Sequence, residues 1–468
     1  SSVTRVDLPA SEPRSAQPYA ETLPFRVTDP RVLNAIVTRQ PGANKCCGVA
    51  FAGELLDLCS PDEPLLGAAV DVGTTSLSLN LFDLETGALL GRSSALNPQT
   101  ADGGDVITRI NYCRQGQERV ETLAAGLIEE LGTMLDEALG PDLTRDRVYL
   151  MTVAANTTML HLLARVQPLS LGLSPFRPAF LAPLELSAGQ CGLPMHPQGR
   201  CILLPGASAY VGADILAGLA AIGYNSLERP TLFIDIGTNG EMVLIEGPDR
   251  MLGASCAVGP ALEGMNISCG CRAVPGAIDS FTLDEDLCPR FTTIGDQTPR
   301  GICGSGLVDL TAALFCSGAI APTGAFNTHA DERLKRHMRD SRFHLTESIS
   351  FTQKDIRQVQ LAKAAVVSGI LTLLAESGRA IEDLEEIIIA GAFGYHLNPE
   401  NLKLIGLVPK EFRGNLSYCG NSSLSGASLA LLNRDVLSDM NRIRQRLRVV
   451  ELATHPDFSD RFMSGLQF

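Results

Sequence analysis

The stretches LGAAVDVGTTSLSLNLFDLETG (66–87) and TLFIDIGTNGEMVLIEG (231–247) are two versions of one pattern. Each is an apolar run that ends in Asp-x-Gly-Thr and passes into a second strand-like run, which predicts a hairpin in both places. Asp71 and Asp235 close the buried strands; Gly73 and Gly237 then allow a tight reversal with exposed backbone N–H groups. Thr74 and Thr75 in the first turn, and Thr238 and Asn239 in the second, add hydroxyl and amide donors, with Gly240 and Glu241 opening the next run. One such turn is explained by a plain hairpin. Two of them, 164 positions apart, point to a duplicated α/β unit. Two turns facing each other across a cleft would clamp a polyphosphate, with Asp71 and Asp235 organising Mg2+ and its waters.

Two further glycine-rich turns follow. IIIAGAFGYHLNP (387–399) places Gly391, Ala392, Phe393 and Gly394 after a buried strand, where small residues admit either an adenosine or a closely packed helix. GICGSGLVDL (301–310) opens a helix at Gly304, Ser305 and Gly306, whose N-terminus faces phosphate or packs tightly.

The rest of the chain sets bounds. Its 468 residues suffice for two to four domains, and 45% hydrophobic with 19% charged residues describes a folded protein. A net charge of −14 argues against nucleic acid as the main partner. The thirteen cysteines include the close pairs Cys46-Cys47 and Cys269-x-Cys271 but no C-x₂-C spacing. Most, Cys303 and Cys316 among them, are expected to be small buried hydrophobes, and an odd number of thiols suits a reducing, cytoplasmic setting. No signal peptide or apolar run long enough to span a bilayer is expected, and the seven histidines form no metal-binding pair. Residues 1–24 read as a linker, 25–64 as a short helix with two strands, and 104–139 as a helical stretch. Later helices are predicted at 304–317, 353–378 and 422–434.

The ordered set of turns resembles the superfamily of actin, sugar kinases and DnaK-type chaperones. That resemblance implies duplicated RNase H-like, actin-like ATPase domains with a nucleotide cleft between them. It assigns Asp71, Gly73, Thr74 and Thr75 to a first phosphate loop, and Asp235, Gly237, Thr238, Asn239 and Gly240 to a second. Gly391 to Gly394 would flank the adenosine, and Asp214 in PGASAYVGADILAGL matches the superfamily's connecting helix, which makes Asp71, Asp235 and Asp214 the catalytic candidates.

Other motifs narrow it: NPQTADGGDVITRI (97–110), AANTTMLHLLA (154–164), PFRPAF (175–180), VGPALEGMNISCGCRAVPGAI (258–278), TQKDIRQVQLAKAA (352–365) and IGLVPKEFRGN (405–415). In this order they resemble the ATPase part of the reductive activators of corrinoid proteins, over almost everything from residue 65 to about 434. The resemblance implies ATP and Mg2+ as ligands and a corrinoid-binding protein or B12-dependent methyltransferase as partner. A [2Fe–2S] ferredoxin-like domain, absent from this chain, would deliver the electron. It also brings Asn97, Gln99, Asp105, Arg109 and Glu241 towards the cleft, although Asp105 and Arg109, one helical turn apart, also fit a solvated pair. The implied domains are a linker (1–24), an abbreviated middle region (25–64), ATPase subdomains at 65–228 and 229–434, and a tail at 435–468 packing back on them. A homodimer is a further candidate assembly. A small-molecule kinase and an ATP-gated binding module that does not turn over remain the alternatives on this scaffold.

Overall fold

The computed structural model describes residues 2–8, 17–38, 47–391 and 397–468. Its contacts divide the chain into two units, residues 1–221 with 423–445 and residues 222–422 with 446–468.

The first unit opens with an antiparallel sheet of β1 (Val3–Asp7), β2 (Cys47–Phe51) and β3 (Glu54–Cys59), in that order. The helix Pro30–Thr38 and this sheet share a small core of Leu8, Val32, Ile36 and Leu55. The linker expected at 1–24 therefore contains a strand, because Val3 to Asp7 find their partners forty residues later, at Cys47 to Phe51. The sheet docks on its own unit through buried polar bonds. Arg200 donates to Glu54 at 2.7 Å, and the Tyr149 hydroxyl to Asp57 at 2.8 Å.

The main sheet of this unit comprises β4 (Leu66–Val72), β5 (Ser76–Asp83), β6 (Leu89–Leu96), β7 (Val148–Ala155), β8 (Leu184–Ser187) and β9 (Arg200–Leu203). Its order is β6-β5-β4-β7-β9-β8. β4, β5 and β6 form an antiparallel meander, and β7 and then β9 add on parallel to β4. β4 is buried on both faces, which is why it reads as a continuous apolar run. The helical stretch expected over 104–139 is two helices, Val106–Cys113 and Gln117–Leu139, broken at Gly116, whose φ of 144° no helix accommodates.

The second unit repeats this plan. β10 (Thr231–Ile236), β11 (Asn239–Ile245) and β12 (Met251–Ala257) form the meander. Two small sheets follow: β13 (Ala277–Leu283), β14 (Pro289–Thr293) and β15 (Gly301–Ile302), then β16 (Met338–Arg339), β17 (Arg342–His344) and β18 (Ser350–Thr352). β19 (Glu386–Ala390) and β20 (Asn415–Gly420) add on parallel to β10, and β21 (Leu447–Val449) closes the other edge beside β12. The order β20-β19-β10-β11-β12-β21 repeats the meander and its two parallel neighbours, with β19 and β20 standing as β7 and β9 do, and differs in its last edge strand, β21 beside β12 against β8 beside β9. The duplication inferred from the two hairpins is thus present in the sheets.

Three expectations change. The helix Gln353–Ser377 is long and apolar enough to cross a membrane by length and composition, with a mean hydropathy of 1.5 over its most apolar window, yet 72% of that window is buried within the fold. The tail from 435 onward is shared: Arg434–Arg446 is a helix assigned almost wholly to the first unit, while β21 and the helix Phe458–Gly465 belong to the second. Seven of the twelve described cysteines are buried, including Cys303, but Cys316 is exposed, because it falls on the outer face at the end of its helix.

Within the first unit the helices Ala213–Ala221 and Ser422–Leu432 cross closely, and a Cβ on Gly426 would lie 2.0 Å from the Ala217 carbonyl oxygen. Gly426→Ala should therefore cost about 1–3 kcal/mol of stability, by overpacking. Urea unfolding measures it, and an unchanged midpoint would contradict the close crossing.

Candidate functional site

Strand register gives the two aspartates equivalent places. Asp71, last but one in β4, stands opposite Ser78 of β5 and Ala154 of β7. Asp235, last but one in β10, stands opposite Glu241 of β11 and Ala390 of β19. Both are half-buried at the ends of parallel-paired strands, where an open α/β sheet gathers its ligand-binding loops.

In the first unit a polar scaffold holds the turn after Asp71. Asn97 is fully buried; its Oδ1 accepts the Gln99 N–H, so its amide group is the donor to the Gly73 carbonyl at 2.9 Å. Asn156 caps the helix Thr157–Leu163 through the same logic. Its Oδ1 takes the Met159 N–H, leaving Nδ2 to donate to Thr74 Oγ1 at 3.0 Å. The Thr74 hydroxyl therefore accepts from Asn156 and keeps its own proton to donate. Gly73 does not have a positive φ; a Cβ there would meet the Ser76 carbonyl oxygen at 2.6 Å, so the constraint is steric.

Arg109 is the unexpected member. It is fully buried and donates to the carbonyls of Thr74 and Gly103 and to Gln99 Oε1, not to a carboxylate. Burial pulls its titration down to about 10, with Asp105 and Asp102 opposing the shift by charge. Asp105 is exposed and caps the helix Val106–Cys113 by accepting the Thr108 N–H at 2.7 Å. The solvated-pair reading thus fails: a guanidinium taken out of water fixes the Thr74 backbone, and Gln99, itself bonded to the Leu123 carbonyl, orients it.

Asp71 Oδ1 accepts the Ser423 hydroxyl at 2.7 Å, from the start of the helix Ser422–Leu432. Asp214 begins the helix Ala213–Ala221 and is only partly covered from solvent. Protein packed around its carboxyl, and then the charge of Asp71, push its titration up to about 7, against a bond from the Ile215 N–H. Asp71, Gly73, Thr74, Thr75, Asn97, Gln99, Arg109 and Asp214 thus gather at one end of this sheet, whereas Asp105 faces outward.

In the second unit the turn Gly237-Thr238 is shorter, and the Gly237 N–H donates to the Asn239 carbonyl at 2.9 Å. Thr238 donates its hydroxyl to Glu263 Oε1 at 3.2 Å. A Cβ at Gly237 would come into ordinary contact with that oxygen, at 3.5 Å, so the Glu263 carboxylate stands over this turn. Asn239 and Gly240 already belong to β11, and Gly240 serves packing, since a Cβ would stand 2.6 Å from Val258. Glu241 is buried and accepts from Ser255 at 3.2 Å. Gly391, at φ 99°, comes up against Asp235: a Cβ there would be 2.9 Å from Asp235 Oδ1. Ala392, Phe393 and Gly394 lie outside the described residues. Gly304, Ser305 and Gly306 are buried against β13, with Ser305 bonded to the Asp279 carbonyl at 2.8 Å and no room for a Cβ at Gly306 beside Ile278. Among the described residues no group of three or more His, Cys, Asp or Glu side chains is arranged to hold a metal ion.

Known proteins are similar to this chain in sequence and fold. A family model described as the C-terminal domain of RACo, the ASKHA domain, matches residues 229–468, and one described as the RACo middle region matches 66–226. The corrinoid activation enzyme RamQ of Eubacterium limosum is 35% identical over 426 residues, covering 87% of this chain and 71% of the relative. The chain belongs to the reductive activators of corrinoid proteins. The methylated amine-specific corrinoid protein reductase of Methanosarcina barkeri is 26% identical over 439 residues, covering 86% of this chain and 77% of the relative. A solved reductive activator for a corrinoid iron–sulfur protein superposes with a TM-score of 0.89 at 31% identity, over 100% of this chain and 78% of that one. Its ASKHA fold is that of the actin-like ATPases. The middle-region model matches the stretch that holds the first six-stranded sheet, and its match begins after the 25–64 segment.

Sequence reasoning missed Asn156, Ser423 and Glu263. Asn156 and Glu263 lay inside quoted motifs, and the Asn-Ser-Ser run at 421–423 signalled a helix start but not its contact with Asp71.

Two outcomes follow for the nucleotide-free protein. Arg109→Met, which strips donors from the Thr74 and Gly103 carbonyls, should cost about 1–3 kcal/mol and speed amide exchange at 73–76. Asp105→Asn, which keeps the cap, should change neither. Because folding raises the Asp214 pKa above its ordinary 3.8, the folded state holds a proton that the unfolded chain releases. Wild-type stability should therefore fall relative to Asp214→Asn as pH rises from about 4 towards about 7, then level off. Parallel denaturation curves across that range are the check.

Proposed function

We propose that the chain carries out ATP-dependent reductive activation of a corrinoid protein, returning an inactive Co(II) centre to Co(I) by one electron. The observation that carries this reading is the duplicated sheet ending twice in an Asp-x-Gly-Thr turn, in a chain that belongs to the corrinoid activators. ATP with Mg2+ is bound through those turns. Asp71 and Asp235 would be the residues to hold the cation, and backbone N–H groups and Thr74 would hold phosphate oxygens. The buried scaffold behind Gly73 and Thr74 fits such a ligand. Bound Mg2+ supplies charge neutralisation of the triphosphate; Asp214, beside Asp71, is placed to hold a proton near neutral pH.

The electron comes from a [2Fe–2S] donor outside these residues, as the family implies. ATP assists by differential binding: a nucleotide-loaded form favours the partner conformation in which cobalt accepts the electron. Moving that equilibrium from 1:99 to 99:1 takes ~5.5 kcal/mol. The partner is a corrinoid-binding protein or a B12-dependent methyltransferase, and the setting is cytoplasmic.

The test mixes the chain with an iron–sulfur donor, a corrinoid protein and constant reductant, and follows the Co(I) absorbance. ATP should raise it, and Asp71→Asn and Asp235→Asn should each remove at least about 90% of the ATP-dependent rate, the loss of about 1.4 kcal/mol or more. No rise with ATP would sink the reading, and rapid ADP release dependent on a small metabolite would favour a kinase instead.

A further inference from the structure

The second turn already has an occupant. Glu263 ends the short turn Pro260–Glu263, which the Gly264 and Met265 N–H groups close by donating to Ala261 and Pro260. Its Oε1 takes the Thr238 hydroxyl at 3.2 Å; burial raises the titration of this carboxyl, and the Thr238 hydroxyl, the charge of Arg272 and the Thr238 N–H oppose that shift. The same oxygen lies 3.5 Å from where a Gly237 Cβ would be, directly over the turn. Carboxylate and phosphate oxygens compete for the same donors. The first turn differs: Thr74 accepts from the Asn156 amide and keeps its proton.

Building on the nucleotide-binding reading above, we infer that Glu263 is an internal stand-in for phosphate in the second turn, which an incoming ligand must displace. It acts as a specificity-determining residue. A polyphosphate that brings its own Mg2+ and engages many donors displaces it; a single small anion, held by few donors and repelled by the carboxylate, does not. Arg272, whose positive charge already stabilises the Glu263 carboxylate, is the partner to which it turns when displaced.

Titration calorimetry on the full chain tests this with Mg·ATP and with inorganic phosphate, comparing wild type, Glu263→Gln and Glu263→Ala. Both variants should bind Mg·ATP roughly tenfold more tightly, and Glu263→Ala should gain measurable phosphate binding that wild type lacks. Hydrogen exchange supplies a readout without ligand: the Thr238 amide should exchange faster in Glu263→Ala than in wild type, and slowly in both once Mg·ATP is bound. Unchanged or weaker Mg·ATP binding by the folded variants overturns the inference, because a merely structural Glu263 would lower melting temperature and affinity together. If Glu263→Ala does not fold, the isosteric Glu263→Gln decides by the same criterion. Failure of all three proteins to bind Mg·ATP overturns the nucleotide reading itself, and the inference with it.

Discussion

The parallel pairing of each unit's first strand with its fourth is the constraint on which the rest depends. β4 beside β7, and β10 beside β19, can form only when both strands are apolar on both faces and a crossover brings the chain back in the same direction. Once that pairing is made, the next-to-last residue of each first strand reaches the sheet's loop-bearing end. A polar residue there escapes the core without leaving the strand, and in both units it is aspartate. The meander that follows fixes the turn, and the later parallel strand supplies what packs behind it: Asn156 after β7, Gly391 after β19.

Duplication of the sheet did not produce duplication of the turn. The first is braced by neutral amides and one buried cation, which donate to the carbonyls of Gly73 and Thr74 and to the Thr74 hydroxyl oxygen, so Thr74 keeps its own proton. Burying a guanidinium without a carboxylate is costly, and it persists where a backbone position must be fixed. The second turn is met from above by a carboxylate that takes its hydroxyl proton. The two halves therefore offer different electrostatics to whatever approaches them, on one strand plan.

Much of this fold was legible because its signals are local. Continuous apolar runs ending in Asp-x-Gly-Thr announce doubly buried strands, and the 3.6-residue period carries through Gln117–Leu139 and Gln353–Ser377. What stayed hidden is tertiary. Val3 to Asp7 hold two valines among polar residues and become a strand only through partners forty residues on. Arg109, four residues after Asp105, has the spacing of an exposed pair, and nothing local says that its guanidinium turns inward to Thr74. Ser423 and Asp71 are separated by 352 positions, a distance no pattern of residue types bridges.

The helix Gln353–Ser377 carries a consequence for biosynthesis. It leaves the ribosome as an apolar segment of bilayer-crossing length, after β11 and β12 that line part of it but before the helix Phe458–Gly465 that packs along it. Between those two events the flank that this last helix covers is without it, and the 88 residues from Gly378 to Gly465 must still be translated. At ordinary elongation rates that interval is on the order of five to twenty seconds. The nascent chain's need for chaperone protection should be concentrated in that window, long before any nucleotide or corrinoid partner is engaged.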